Sequence, residues 1–433
     1  MKRLLLLAPI AVLALASCSN DEQIAQSPAL NAQELTFRPI VNGTTRTITT
    51  DANFEGFHVI ADIVDKTKYA FWPEQLSGTD YVAPTEGSHV GALTTLNYDV
   101  SKTDGKWQTM DGKKWYWSSK NAEAEFKAYN ASGTITVPEA VSSQTDVLVA
   151  YNKGVASSFD NGVPLLFRHV LSQIVIKADN KDADIRQIKV AGVRIHNISV
   201  TNSLTLPTYP TTADKFKWYS AEAGADNTNA YKPWESEPAA ATKISKYVYY
   251  KGSVPTNGAV AAGDAIILNA SAQEITFNGA VLALPQSNAA ADLTASNITG
   301  SYIEVLVQVQ DLTVTPESAT DYTKHTAKAI FPKINVGATA QTLGQSGYQE
   351  TIDNQNFAWV AVPVDIAWNP GYKYTYVLHF SENGIGKSSP DTSGGDPTPG
   401  TQPGEEVVDN PVALYFTVTI DEWNDAAKTE KNL

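Results

Sequence analysis

Cysteine is nearly absent from this chain: Cys18 stands alone among 433 residues. A single thiol excludes an intramolecular disulfide and any zinc site built on paired thiolates. The six histidines (His58, His89, His169, His196, His325 and His379) nowhere pair at metal-ligand spacing. Positive charge is scarce: 32 Lys and Arg face 46 Asp and Glu, for a net charge of −14, which makes a poor nucleic-acid binder. Beyond the N-terminus no apolar run is long enough for a transmembrane helix. Catalytic signatures are lacking too. No GxSxG elbow occurs. "GIGKSS", 384–389, contains GKS, but the glycine required five residues before Gly386 is Ser381, so no phosphate loop forms. "DNKDAD" lacks calcium-loop spacing. Two carboxylates could meet in space as a glycosidase pair, but in so acidic a chain that signal carries no information. The expectation is a protein without enzymatic activity or cofactor; a secreted hydrolase has no nucleophile or metal signature behind it.

What is present begins at the N-terminus. Lys2 and Arg3 precede an apolar stretch, Leu4 to Ala14, too short for an anchor and suited to export. Leu15-Ala16-Ser17-Cys18 resembles a lipobox, cleaved before the cysteine, whose thiolate carries diacylglycerol. Residues 1–17 are then a lipoprotein signal peptide, and Cys18 is the lipidation site. The alternative is a secretory signal with an incidental cysteine. Ser19-Asn20-Asp21-Glu22 is similar to the acidic export signal of surface-exposed Bacteroidetes lipoproteins. Loss of residues 1–17 removes Lys2, Arg3 and no acid, so the mature chain is more negative still. Several acyl groups on one residue suffice for a stable tether to the outer membrane. Residues 18–34 read as a flexible leader.

From Leu35 onward the dominant signal has period two. "GFHVIADIV", "AEAEFKAY", "SQIVIKAD", "YIEVLVQVQDL", "YKYTYVLHF" and "ALYFTVTIDEW" are β-branched, aromatic or alternating runs of strand length. Asp111-Gly112 between "KWQTM" and "KKWYW", and Asn42-Gly43 between "LTFRPIV" and "TTRTIT", are hairpin signals, because both turn positions need positive φ. Amphipathic helices are scarce. The fold class is all-β, mainly antiparallel, as sandwiches. "LTLPTYPTTADK", 204–215, marks a domain junction, giving an N-terminal sandwich over 35–207 and a C-terminal one over 208–433. The Gly-, Pro- and Ser-rich stretch 381–411 reads as a flexible linker, followed by a terminal strand, 412–423. In "KKWYW", Trp115 and Trp117 share one strand face, either as core or as a platform that stacks on sugars.

Taken in order, "ELTFRPIV", "KWYWSSKNAEAEFKAYN", "TDVLVAYNKG", "VPLLFRHVLSQIVIKAD", "VAGVRIHNISVTNSLTL", "VLALPQS", "AVPVDIAWNPGYKYTYVLHF" and "VTIDEW" resemble the fimbrillin-like family, the lipoprotein subunits of Bacteroidetes type V pili. The resemblance covers nearly all of the mature chain. It implies two tandem transthyretin-like antiparallel β-sandwich domains. It also implies assembly by strand exchange: an arginine- or lysine-specific protease removes the N-terminal segment, and the opened groove accepts the C-terminal strand of another fimbrillin subunit.

The residues that fit this route can be named. Arg46, after the Asn42-Gly43 turn, is the expected cut, leaving Thr47 as the new N-terminus; Arg38 precedes Pro39, which such proteases disfavour. Leu35 to Val41 is then the displaced strand. The donor strand is Val412 to Trp423, with Leu414, Phe416, Val418 and Ile420 on one face. A linker of about 30 residues would span roughly 30 Å. The rival placement keeps that strand in its own domain. The functional expectation is a structural fimbrial subunit at the cell surface, contributing to adhesion; the alternative is a glycan-binding or adhesin lipoprotein at a pilus tip, using exposed aromatics.

Overall fold

The structure, a computed structural model, describes residues 33–41, 54–73, 91–312 with short interruptions, 329–332, 357–390, 403–408 and 414–422. Along the first part of the chain the strands are β1 (Phe37–Val41), β2 (Gly56–Ile63), β3 (Phe71–Pro73), β4 (Thr95–Thr103), β5 (Lys106–Thr109), β6 (Trp115–Trp117), β7 (Glu123–Tyr129), β8 (Gly133–Thr136), β9 (Leu148–Val155) and β10 (Val163–His169). There follow β11 (Ser172–Asn180), β12 (Arg186–His196), β13 (Ile198–Ser199), β14 (Thr201–Leu204), β15 (Lys243–Ile244), β16 (Tyr247–Tyr250), β17 (Ile266–Ile267), β18 (Gln273–Glu274), β19 (Val281–Ala283) and β20 (Ser287–Asn288). The last are β21 (Tyr302–Asp311), β22 (Ala329–Phe331), β23 (Ala358–Pro363), β24 (Ile366–Ala367), β25 (Tyr372–Phe380), β26 (Lys387–Ser388) and β27 (Tyr415–Glu422). Among the described residues, helix is limited to two 3₁₀ turns, Val141–Ser143 and Ala156–Ser158. The all-β expectation holds.

The chain forms two compact units. The first comprises Met1–Pro39, Glu55–Ala128 and Tyr151–Leu165; the second comprises Ile40–Phe54, Tyr129–Ala150 and Leu166–Leu433. This division differs from the boundary expected near residue 207. The reason is long-range pairing. β11 joins β25, and β12 joins β21, so the residues expected to end the first sandwich belong to the sheets of the second unit.

The first unit is organised around a closed barrel, in the order β1-β10-β9-β7-β2-β4-β5, with β1 meeting β5 at Phe37↔Trp107. A sandwich would leave open edges here; the insertion of β1 between β10 and β5 removes them. The period-two pattern explains the interior. In β2 and β7 every second residue is buried, placing Phe57, Val59 and Ala61, then Ala124, Phe126 and Ala128, inside. Rings fill the centre: Phe37 lies 5.9 Å from Phe57 and 6.2 Å from Phe126, and Trp117 lies 5.8 Å from Phe126. Gly112 has the positive φ expected of its turn, but the strands around it do not form a hairpin. β5 pairs with β4 and β1, while β6 pairs with β3. The Asn42-Gly43 turn lies outside the described residues.

The second unit is a two-sheet sandwich. One sheet runs β18-β11-β25-β27, with β19 also on β11; the other runs β16-β12-β21-β23-β26, with β17 and β22 attached. A single core joins them, with Ile174, Ile176 and Leu378 from one sheet and Ile195, Val305 and Val307 from the other. Pairing between the named strands is antiparallel, as expected, except at the middle of the first sheet, where β11 and β25 run parallel over eight residue pairs. β21 is buried continuously from Tyr302 to Val309, polar Glu304 and Gln308 included, because both of its faces are covered; Leu306 packs with Trp359 on the side away from the main core.

Within that second sheet three ionisable side chains are buried together. Arg194 stands opposite Glu304 and bonds to it, and the His196 Nε2 lies against the same carboxylate. The Arg194 guanidinium also lies 4.1 Å from the Trp359 ring centre, and His196 stacks on Tyr302 at 4.4 Å. Burial opposes the charged form of Glu304, but His196 and Arg194 outweigh it and hold the carboxyl below its ordinary range.

Candidate functional site

The sequence points to the two ends of the fold, and each end can be built from its residues upward. At the N-terminal end the chain segment 33–37 is hydrogen-bonded on both sides. Leu35 N donates to Trp115 O at 2.7 Å, and Trp117 N donates to Gln33 O at 3.0 Å. On the opposite side Val163 N donates to Thr36 O at 2.8 Å. Successive residues of a strand bond in opposite directions, so one short segment satisfies two neighbours. Leu35, Phe37 and Val41 are buried. Gly162 permits the close approach: its φ is +87°, and a Cβ there would stand 2.8 Å from Thr36 Oγ1.

At the C-terminal end β27 pairs with β25 over eight residues, from Tyr372↔Glu422 to His379↔Tyr415. The strand therefore sits in its own sandwich, the rival of the two placements considered from sequence. It is an edge strand: β25 lies on one side, and the sheet order ends there. Opposite residues of an antiparallel pair share a face, so Phe416, Val418 and Ile420 lie on the side of Leu378, Tyr376 and Tyr374. The alternation read from sequence is correct, but burial does not follow it throughout. Leu414 is buried, and Phe416 is half-buried with its ring 6.0 Å from Tyr376. Val418 is 40% exposed and Ile420 57% exposed, although both are apolar and inward on the pleat.

The opposite face of β27 carries polar contacts. Tyr415, itself 54% exposed, stacks on His379 with ring centres 4.8 Å apart. His379 Nε2 is 3.1 Å from Thr417 Oγ1, and its Nδ1 is 2.9 Å from Asp179 Oδ2. Asp179 is buried and also receives Lys181 Nζ at 2.8 Å.

Two parts of the expected linker 381–411, residues 381–390 and 403–408, lie among the described residues. β26 pairs with β23, and residues 403–408 bond in turn to β26: Ser388 N donates to Glu405 O at 2.8 Å, and Gly404 N to Ser388 O at 3.0 Å. Val407 is buried in the core. The composition signalled a lack of core pattern, but backbone pairing and one anchored valine order these pieces. The stretch between this anchor and Leu414 is thus residues 409–413, not the whole of 381–411.

Cys18, Arg46 and Thr47 lie outside the described residues. Trp115 and Trp117 are buried in the first unit, where Trp117 stacks on Phe159, so they are core and not a sugar platform. Among the described residues no group of three or more His, Cys, Asp or Glu could hold a metal ion, and no helix is long and apolar enough to cross a membrane. Sequence reasoning missed Gly162, Asp179 and His379. The Asn161-Gly162 pair carried a turn signal that could have flagged the first; for the other two, only the pairing of distant strands brings the side chains together.

Comparison with known proteins adds the family. No curated protein matches the chain. Among solved structures, a fimbrial protein from Bacteroides vulgatus is similar, at 13% identity and a TM-score of 0.44, over 90% of this chain and 99% of that one. A candidate cell adhesion protein from Parabacteroides distasonis is similar at 9% identity, with a TM-score of 0.37, covering 90% of this chain and 97% of its own. A further candidate cell adhesion protein, from Bacteroides ovatus, shares 14% identity, with a TM-score of 0.34 and coverage of 90% and 98%. The Fimbrillin-like family model matches residues 72–393, a span that takes in most of the barrel and nearly all of the sandwich, and the chain therefore belongs to the fimbrillin-like family.

Proposed function

We propose that the chain is a non-enzymatic structural subunit of a cell-surface fimbria, a type V pilus that contributes to adhesion, and that it assembles by protease-triggered strand exchange. Family membership supports the pilus role. The observation that carries the assembly route is the contrast in bonding at the two ends. The first strand closes a barrel with bonds on both edges, whereas the last lies on one sheet edge with Val418 and Ile420 uncovered.

The route follows from that contrast. Cys18 carries the lipid that tethers the exported chain to the outer membrane. An arginine-specific protease cuts between Arg46 and Thr47, and the segment containing β1 departs. The backbone groups of Val163, Trp115 and Trp117 then lack their partners, and the site of Phe37 is empty. Unpaired strand edges beside an apolar slot accept an added strand. The β27 segment of another fimbrillin subunit supplies it, with Leu414, Phe416, Val418 and Ile420 toward the slot. The tether is short. Six residue steps from Val408 to Leu414 reach about 20 Å at most, so donor and acceptor must be close neighbours. The alternative, a glycan-binding or adhesin lipoprotein at a pilus tip, has less support, because Trp115 and Trp117 are packed inside.

The test uses full-length chains in cells and the purified protein. Shed protein should begin at Thr47 and form ladders on a denaturing gel, and a Cys18→Ala chain should take no fatty-acid label. Val418→Lys should leave the uncleaved monomer folded, since the site is solvent-accessible, yet abolish the ladder, since the slot would have to desolvate a charge. Thr419→Lys, on the other face, should matter less. Normal ladders from Val418→Lys would overturn the strand-exchange reading.

A further inference from the structure

The C-terminal strand is poorly retained by its apolar side chains, and something else must hold it. Half of its inward residues are uncovered, and among the described residues its outer edge has no partner strand. The face that should be the weaker one, turned away from the core, carries the most specific contacts. His379 stands at the middle of three adjacent strands. Its Nδ1 faces the buried Asp179 on β11, its Nε2 faces Thr417 on β27, and its ring stacks under Tyr415. Asp179 is an acceptor, so Nδ1 carries a proton and donates to it, and the Thr417 hydroxyl, which can donate or accept, meets Nε2. Lys181 bonds the same carboxylate and fixes its position. The imidazole is therefore oriented from behind before β27 arrives, and an oriented group loses little entropy in holding a partner.

We propose that His379 is a clasp: it keeps the C-terminal strand on its own sheet until the strand is exchanged. The proposal rests on the strand-exchange reading for its purpose, but the clasp itself is a property of the monomer. Asp179 is the positioning residue, and Thr417 with Tyr415 forms the part that is let go. The clasp acts on β27 without contributing to the apolar core, so its loss should free the strand and spare the sandwich.

Hydrogen exchange on the uncleaved, full-length monomer tests this. In His379→Ala the amides of Tyr415 to Glu422 should exchange faster by about tenfold, the effect of one or two lost hydrogen bonds on a local opening. Amides of β11 and β21 should keep their protection. Thr417→Val, which keeps the strand's shape and removes only the hydroxyl, should move β27 the same way by a smaller factor. Unchanged β27 exchange in both variants would overturn the clasp. So would an equal rise across β11, β21 and β27, which marks a residue that merely stabilises the whole sandwich. Ladder formation after cleavage is read separately: a chain with a freed β27 that never polymerises leaves the clasp standing and removes strand donation.

Discussion

Strands β1 and β27 are built from the same local recipe, alternating apolar and polar residues near a chain end, but the fold holds them in opposite ways. The β1 segment is bonded along both edges, and its apolar side chains Leu35, Phe37 and Val41 are all buried. β27 is bonded along one edge and buries Leu414 fully, Phe416 in part, and Val418 and Ile420 poorly. The difference lies in the neighbours and not in the strands. A closed barrel surrounds one; the facing sheet of the sandwich leaves the far half of the other uncovered. Amphipathic pattern therefore specifies which side of a strand could be buried, and the number of covered edges and faces specifies how much it matters.

The contrast is sharpest at Phe37. Its ring touches Phe57 and Phe126 in the barrel interior, so Phe37→Ala should cost about 3–5 kcal/mol, the range for emptying an aromatic site in a core. Urea unfolding of the uncleaved chain measures it, and a loss below about 1 kcal/mol would erase the distinction between the two ends. Next comes the place where β1 is admitted. Gly162→Ala combines a positive φ with a Cβ crowding Thr36, and should cost about 1–3 kcal/mol while exposing the Val163 amide to exchange. If that amide stays protected, the close approach is not what seats the first strand. The smallest effect belongs to β27. Ile420→Ser should shift monomer stability by less than about 0.5 kcal/mol, as at other exposed positions. A loss comparable to that of Phe37→Ala would show that β27 is as firmly built in as β1.

Much of the fold was legible in the sequence for a simple reason. Runs such as "GFHVIADIV" and "YKYTYVLHF" alternate because each strand has one covered face, and both appear as strands with every second residue buried. Where legibility failed, the cause was pairing over distance. Gly112 has the positive φ of its turn, yet β5 and β6 go to different partners, since a turn signal constrains four residues and not the sheet beyond them. The ordered residues 403–408 were hidden by a composition rich in Gly and Pro, because backbone bonds to β26 need no side-chain pattern.

By itself, the sequence determined the all-β class, the strand-forming segments, the two candidate end strands and the apolar face of each. Those properties depend on residue type and spacing, which act over a few neighbours. Tertiary structure alone decided that residues 172–204 join the second unit, that β11 and β25 run parallel, and that the first strand closes a barrel. It also decided that Asp179, His379 and Thr417 meet. Two of these lie 200 residues apart in the chain, and a strand's alternation says which way a side chain points but not what stands opposite it.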